Sequence, residues 1–205
     1  NLGVIYSYKG NILESINSFE SVIKLTDENT ELHINSIVNI SINNLILGNY
    51  SLAKDSLIRA SSLFKRYSSI YKTNKMKKHN SGYISYLNKL MPLLNTQRYD
   101  KKVPVISHVG DSHCLALNGQ TIKLDGITHI VRPALVQGIK AWHLASKNHN
   151  RFKSSFISQL KYIKYSSPVF VSIGEIDCRS DEGIIPYCLK YSEDINQISF
   201  NTTSN

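Results

Sequence analysis

The sequence predicts helical hairpins followed by a partial, parallel, three-layer α/β domain. Three observations carry that prediction. Two related helical stretches occupy residues 1–65, two β-branched apolar runs follow residue 103, and a jump in charge separates the two parts. Each apolar run ends abruptly in glycine and an acid, as Val103-Pro104-Val105-Ile106-Ser107-His108-Val109-Gly110-Asp111 and as Pro168-Val169-Phe170-Val171-Ser172-Ile173-Gly174-Glu175. Neither run alternates cleanly, which is the pattern of strands buried on both faces of a parallel sheet.

The helical segment shows an internal repeat. Gly10-Asn11-Ile12-Leu13-Glu14-Ser15 recurs 38 positions later as Gly48-Asn49-Tyr50-Ser51-Leu52-Ala53. Leu2, Ile5 and Tyr6 precede the first copy, and Ile16, Phe19 and Ile23 follow it. Ile37, Ile40 and Asn44 precede the second, and Leu57, Ala60 and Phe64 follow it. Spacings of three and four put each set on one helix face. Asp27-Glu28-Asn29-Thr30 marks the break between the units. Small residues at Ser15, Ala53 and Ala60 allow close helix packing.

The charge surplus sits between the two parts. Residues 1–64 carry four Lys or Arg against six Asp or Glu, residues 65–102 carry ten against one, and residues 103–205 carry ten against eight. Residues 66–100 are therefore expected to be a basic linker ending in a bracing helix, with Tyr83, Leu87, Leu90 and Leu94 on one face and a break at Pro92. Trypsin is expected to cut first between Lys72 and Lys78. Tyr67 and Tyr71 among the cations raise nucleic-acid binding as a hypothesis. A solvated helix end explains the same residues, so nucleic acid is disfavoured as a partner.

Residues 101–205 are expected to form the α/β domain. Asn118-Gly119 and Asp125-Gly126 carry turn chemistry around an alternating Thr121-Ile122-Lys123-Leu124, which predicts a hairpin. Phe152, Phe156, Leu160 and Ile163 predict a covering helix. In such sheets the ligand site lies beyond the carboxyl ends of the strands, which brings Asp111, Ser112 and His113 to the same edge as Glu175, Asp177 and Arg179. Glu175, Asp177 and Arg179 are expected to form an ion-pair network beside Ser112. His113 follows Ser112 directly, and in extended backbone its side chain would diverge from its neighbours', so it is expected to be a poor base for Ser112 and a substrate or structural group instead. His108 is expected as a satisfied core residue, and Trp142 and His143 could line the site but read first as core residues. Only Tyr187 to Phe200 remains to cover or extend the sheet, so the domain is expected to be incomplete.

Hydrophobic residues make up 41% of the chain and charged residues 19%, which is ordinary for a globular protein. No apolar run approaches the ~20 residues that span a bilayer. The three cysteines, Cys114, Cys178 and Cys188, have no metal-ligand spacing. They predict free thiols, a reducing and cytoplasmic setting, no metal and no cofactor. The chain opens without methionine and reads as a fragment.

Two family resemblances bear on these residues. Leu2-Gly3, Tyr6, Ser15, Phe19 and Val22, with Ala53, Leu57 and Ala60, resemble the tetratricopeptide repeat. That resemblance implies binding of a protein or peptide. Val109-Gly110-Asp111-Ser112 resembles the first motif of the SGNH, or GDSL-like, hydrolase superfamily, and Gly174-Glu175-Ile176-Asp177 stands where its third motif would. The combination is similar to bacterial proteins that join tetratricopeptide repeats to such a domain. It implies a flavodoxin-like fold and hydrolysis or transfer of an acyl ester, from an acylated small molecule or glycan. It further implies Ser112 as nucleophile, Gly138 as oxyanion donor and Asp177 among the catalytic residues. Asp111, His113, Glu175 and Arg179 would contact substrate. The resemblance departs at Ile176, which replaces a side-chain donor, and in lacking the late Asp-X-X-His motif. Those departures support a rival expectation, a non-catalytic scaffold whose α/β part recognises a ligand.

Overall fold

The computed structural model describes residues 2–71, 74–94 and 102–204. The chain divides into two compact units, residues 1–101 with 118–120, and residues 102–117 with 121–205.

The first unit is helical. Helices α1 (Leu2–Tyr8) and α2 (Ile12–Leu25) form one hairpin, and α3 (Glu31–Ile46) and α4 (Tyr50–Tyr67) form another. Gly10 and Gly48 turn the two hairpins at φ of 80° and 76°, the left-handed region that glycine tolerates best. The first hairpin packs closely because Gly3 has no side chain, since a Cβ there would lie 2.9 Å from the Phe19 ring. Ser15 Oγ donates to the Gly3 carbonyl at 2.7 Å. Thr30 caps α3 by accepting from the His33 backbone N–H.

Every residue of α3 from His33 to Leu45 is buried. Its buried asparagines bond within the helical unit. Asn43 donates to Ser15 Oγ at 2.8 Å, and Asn39 donates to the Asn35 carbonyl at 2.7 Å. Buried amides need such partners, because an unpaired one costs ~1–3 kcal/mol. Helix α5 (Asn74–Leu90) packs on α3 and α4 through a face that buries Ile84, Leu87 and Leu90. It therefore runs through most of the stretch expected as a basic linker and carries Lys75, Lys77 and Lys78 on a helix. Pro92 ends it as expected, in a single 3-10 turn from Met91 to Leu93. Lys72, the upstream end of the expected tryptic site, lies outside the described residues, as do residues 95–101.

The second unit is built on a four-stranded sheet in the order β2-β3-β1-β4. Strand β1 (Val105–Gly110) pairs parallel with β3 (Ile127–Leu135) on one side and with β4 (Val169–Ser172) on the other. Strand β2 (Thr121–Leu124) pairs antiparallel with β3. Asp125 and Gly126 join β2 to β3 with φ of 50° and 79°, as a two-residue primed turn requires. Val109, Val136 and Ile139 form a fully buried cluster under Phe152 and Phe156, which belong to α7 (Arg151–Lys161). Asn150 caps α7, accepting from the backbone N–H groups of Phe152 and Lys153. Short α6 (Ala141–Ala145) precedes α7, and α8 (Ile184–Tyr191) and α9 (Ile195–Ser204) follow β4.

The structure corrects one expectation about the sheet. The second apolar run is not interior. Among the described residues β4 pairs only with β1, and Val171 is 58% exposed. An apolar β-branched run marks a strand but carries no information on whether both its edges are paired.

Candidate functional site

The site residues gather where β1, β3 and β4 end. Gly110 closes β1 against β4 so tightly that a Cβ there would overlap the carbonyl and hydroxyl oxygens of Ser172. Its own carbonyl accepts the Val136 N–H at 2.8 Å, which ties β1 to the chain leaving β3. The strand then turns. The Asp111 carbonyl accepts the Cys114 N–H at 3.1 Å, and residues Ser112–Leu117 form a 3-10 stretch with half-buried Ser112 at its start.

This turn alters the expected fate of His113. Extended backbone would have sent its side chain away from that of Ser112, and in the turn that forms instead the Asp111 carboxylate reaches over residue 113. The Asp111 carboxylate is buried, and its Oδ1 accepts the His113 backbone N–H at 2.9 Å. The same oxygen lies 2.7 Å from His113 Nδ1. The imidazole is half-exposed and stands 3.8 Å from Glu175 Oε2 in the loop after β4.

Glu175 and Arg179 form the expected ion pair. Arg179 Nε lies 3.0 and 3.1 Å from the two carboxylate oxygens, and Nη2 lies 2.7 Å from Oε2. Arg179 holds the Glu175 carboxyl below its usual range, and Glu175 in turn raises the guanidinium. Donor atoms of Asp111, His113 and Glu175 lie within 4.8 Å of one another, close enough to surround a cation. Arg179 already engages both Glu175 oxygens, and His113 Nδ1 is already bonded.

Asp177 does not join that network. Its carboxylate is buried and turns toward α6, where Oδ2 accepts the Ala141 N–H at 2.7 Å and Oδ1 the Trp142 N–H at 3.4 Å. These are N–H groups of the first turn of a helix, which have no partner inside it. Asp177 therefore ties the loop after β4 to the one after β3. Gly138, at φ of 72° and exposed, turns the chain between β3 and α6.

Several contributors escaped sequence reasoning. Gly183 has φ of 81° and passes so close to Asp177 that a Cβ would sit 2.5 Å from its Cα and carbonyl oxygen. Glycine before an Ile-Ile-Pro helix start was the only available signal. His108 is in the core as expected, with Nε2 2.7 Å from Ser172 Oγ, while its Nδ1 is buried without a hydrogen-bond partner among the described residues. Burial lowers its pKa. His143 stacks on Phe152 with ring centroids 3.8 Å apart, and its Nδ1 accepts the Lys140 N–H at 3.0 Å. Burial, then Lys140, lowers its pKa. Trp142 is not core. It is half-exposed on a cleft of about 320 Å³ shared with Lys140, Ile184, Tyr187 and Ile198.

All three cysteines are free. Cys114 and Cys188 are buried, Cys178 is exposed, and burial pushes the Cys114 thiol far up. No helix among the described residues is long and apolar enough to cross a membrane. Comparison with known proteins finds no family model, no curated protein and no solved structure that matches the chain. The class that stands is a helical unit followed by a small mixed-sheet α/β unit.

Proposed function

We propose that the second unit acts on an acyl ester, hydrolysing it or transferring its acyl group, with Ser112 as the nucleophile. The observation that supports this most is the meeting of three loops at one sheet edge. The loop after β1 reaches the loop after β4 through His113 and Glu175, and Asp177 joins the latter to the loop after β3. Parallel α/β sheets place their ligands at this edge. In this reading Ser112 Oγ bonds to the acyl carbon, the ester's C–O bond breaks and the alcohol leaves with the hydroxyl proton, and the Gly138 N–H receives the developing oxyanion. Asp111, His113, Glu175 and Arg179 form the polar wall against the substrate. Asp177 acts by positioning, holding the α6 loop in place. The substrate class is an acylated small molecule or glycan. The helical unit serves as a docking surface for a protein or peptide, in the manner of tetratricopeptide repeats.

A second reading has its own support. Ile176 is 6% exposed and apolar where an oxyanion-binding asparagine would be needed, which favours a domain that binds without turning over. A panel of aryl and alkyl esters of graded acyl length separates the two. Turnover by the wild-type chain that is lost in Ser112→Ala, with an unchanged circular dichroism spectrum, supports the hydrolase. Binding without turnover across the panel supports the recognition module and ends the hydrolase reading.

A further inference from the structure

We propose that Asp111 and His113 form a carboxylate–imidazole dyad whose free nitrogen, Nε2, is the proton acceptor for the acyl-accepting water or hydroxyl. This assignment rests on the acyl-ester reading and adds the base that the sequence did not reveal.

The geometry carries it. Asp111 is almost without solvent contact, its side chain 2% exposed, whereas the His113 side chain is 47% exposed. One oxygen of the buried carboxylate accepts from both the main chain and the Nδ1 edge of the same histidine, at 2.9 and 2.7 Å. A carboxylate accepts only, so a hydrogen bond at 2.7 Å requires the proton to sit on Nδ1. The neutral ring then carries its lone pair on Nε2, which makes no hydrogen bond to any described residue.

The charges facing the ring are Asp111 from the end of β1 and, from the loop after β4, Glu175 and Arg179. Glu175, at 3.8 Å, is beyond hydrogen-bond range, and its charge is matched by the Arg179 fork. Asp111 is therefore the group that orients the imidazole. A buried carboxylate fixing Nδ1–H so that Nε2 does the proton transfer is a general solution to activating a hydroxyl.

Adjacent residues are poorly placed to exchange a proton directly, so the dyad is assigned to the second half of the reaction. The acceptor oxygen bonds to the acyl carbon of the Ser112 ester while Nε2 takes the acceptor's proton. The bond from the acyl carbon to Ser112 Oγ then breaks, Oγ takes a proton from solvent, and Nε2 releases the acceptor's proton to solvent. Asp111 is a positioning residue, and it keeps its charge throughout.

The test uses the full chain labelled with ¹⁵N-histidine, with the His113 signals assigned by their loss in His113→Gln. The expected spectrum at neutral pH shows the Nδ1–H tautomer, and Asp111→Asn shifts the population toward Nε2–H. In the kinetic arm, His113→Gln should retain the first stoichiometric release of alcohol from an aryl ester. Steady turnover should fall ~10²–10⁴-fold, the usual contribution of general acid–base catalysis. An Nε2–H tautomer in the wild type overturns the dyad, as does unchanged turnover in His113→Gln. Stoichiometric displacement of the His113 signals by added Zn²⁺ overturns it too, by making the trio a metal site. If the wild type turns over no ester, the acyl-ester reading has failed, and the acid–base role fails with it. The tautomer measurement then separately decides the Asp111–His113 geometry.

Discussion

Replacing Asp177 with alanine separates a positioning role from a chemical one. The substitution removes a short charge-assisted hydrogen bond to the Ala141 N–H at 2.7 Å and a long one to the Trp142 N–H at 3.4 Å. Hydrogen bonds to a charged group contribute ~1.5–3 kcal/mol, and the longer contact adds only a little. Asp177 is 3% exposed, so water cannot readily replace the lost acceptor. The expected loss is about 2–3 kcal/mol, which for a unit of this size lowers Tm by roughly 10–20 °C. Asp177→Asn retains one acceptor oxygen and should lose about half as much. Urea unfolding followed by circular dichroism measures both. Stability within ~0.5 kcal/mol of wild type, combined with abolished turnover, would refute the positioning account and return Asp177 to the reacting groups.

Other perturbations follow from the same contacts. Gly110→Ala places a methyl group against Ser172 and should destabilise the second unit by ~1–3 kcal/mol in urea unfolding, and a neutral result would show that β1 and β4 are not so closely apposed. Burial lowers the pKa values of His79, His108 and His143 from their ordinary 6.5, so the unfolded chain takes up protons first. Stability should be full above pH 6.5 and fall as the pH drops below it. A denaturation midpoint that stays flat or rises on acidification from 6.5 would contradict this. Iodoacetamide should modify exposed Cys178 well before Cys114, whose buried thiol resists ionisation. Peptide mapping that found Cys114 labelled first would show that the end of β1 is open.

Local chemistry made much of this legible. Alternation and an Asp-Gly pair located the β2–β3 hairpin, and the spacing of Phe152 and Phe156 located α7. The β-branched runs marked β1 and β4, and their glycines and acids marked the polar edge. What escaped depends on distant partners or on a turn. The run Val169-Phe170-Val171 looks alike in a central and an edge strand. The Lys-rich stretch suggested a linker because of its charge, yet lysine is a good helix former and α5 has an apolar face to bury. Asp177 read as a partner of nearby Arg179, whereas the N–H donors it accepts from lie 36 and 35 residues away in sequence. The Asp111–His113 contact escaped because His113 was weighed only against adjacent Ser112, whereas after Gly110 the chain turns and the Asp111 carboxylate reaches both the backbone N–H and Nδ1 of residue 113.

The most direct test of the account is covalent labelling of Ser112. A fluorophosphonate reacts with an activated serine hydroxyl and adds a fixed mass, which intact mass spectrometry and peptide mapping locate. The account predicts one adduct per chain, on the peptide containing Ser112, absent from Ser112→Ala and preserved in His113→Gln. No adduct on the wild type, or an adduct that survives Ser112→Ala, would contradict it.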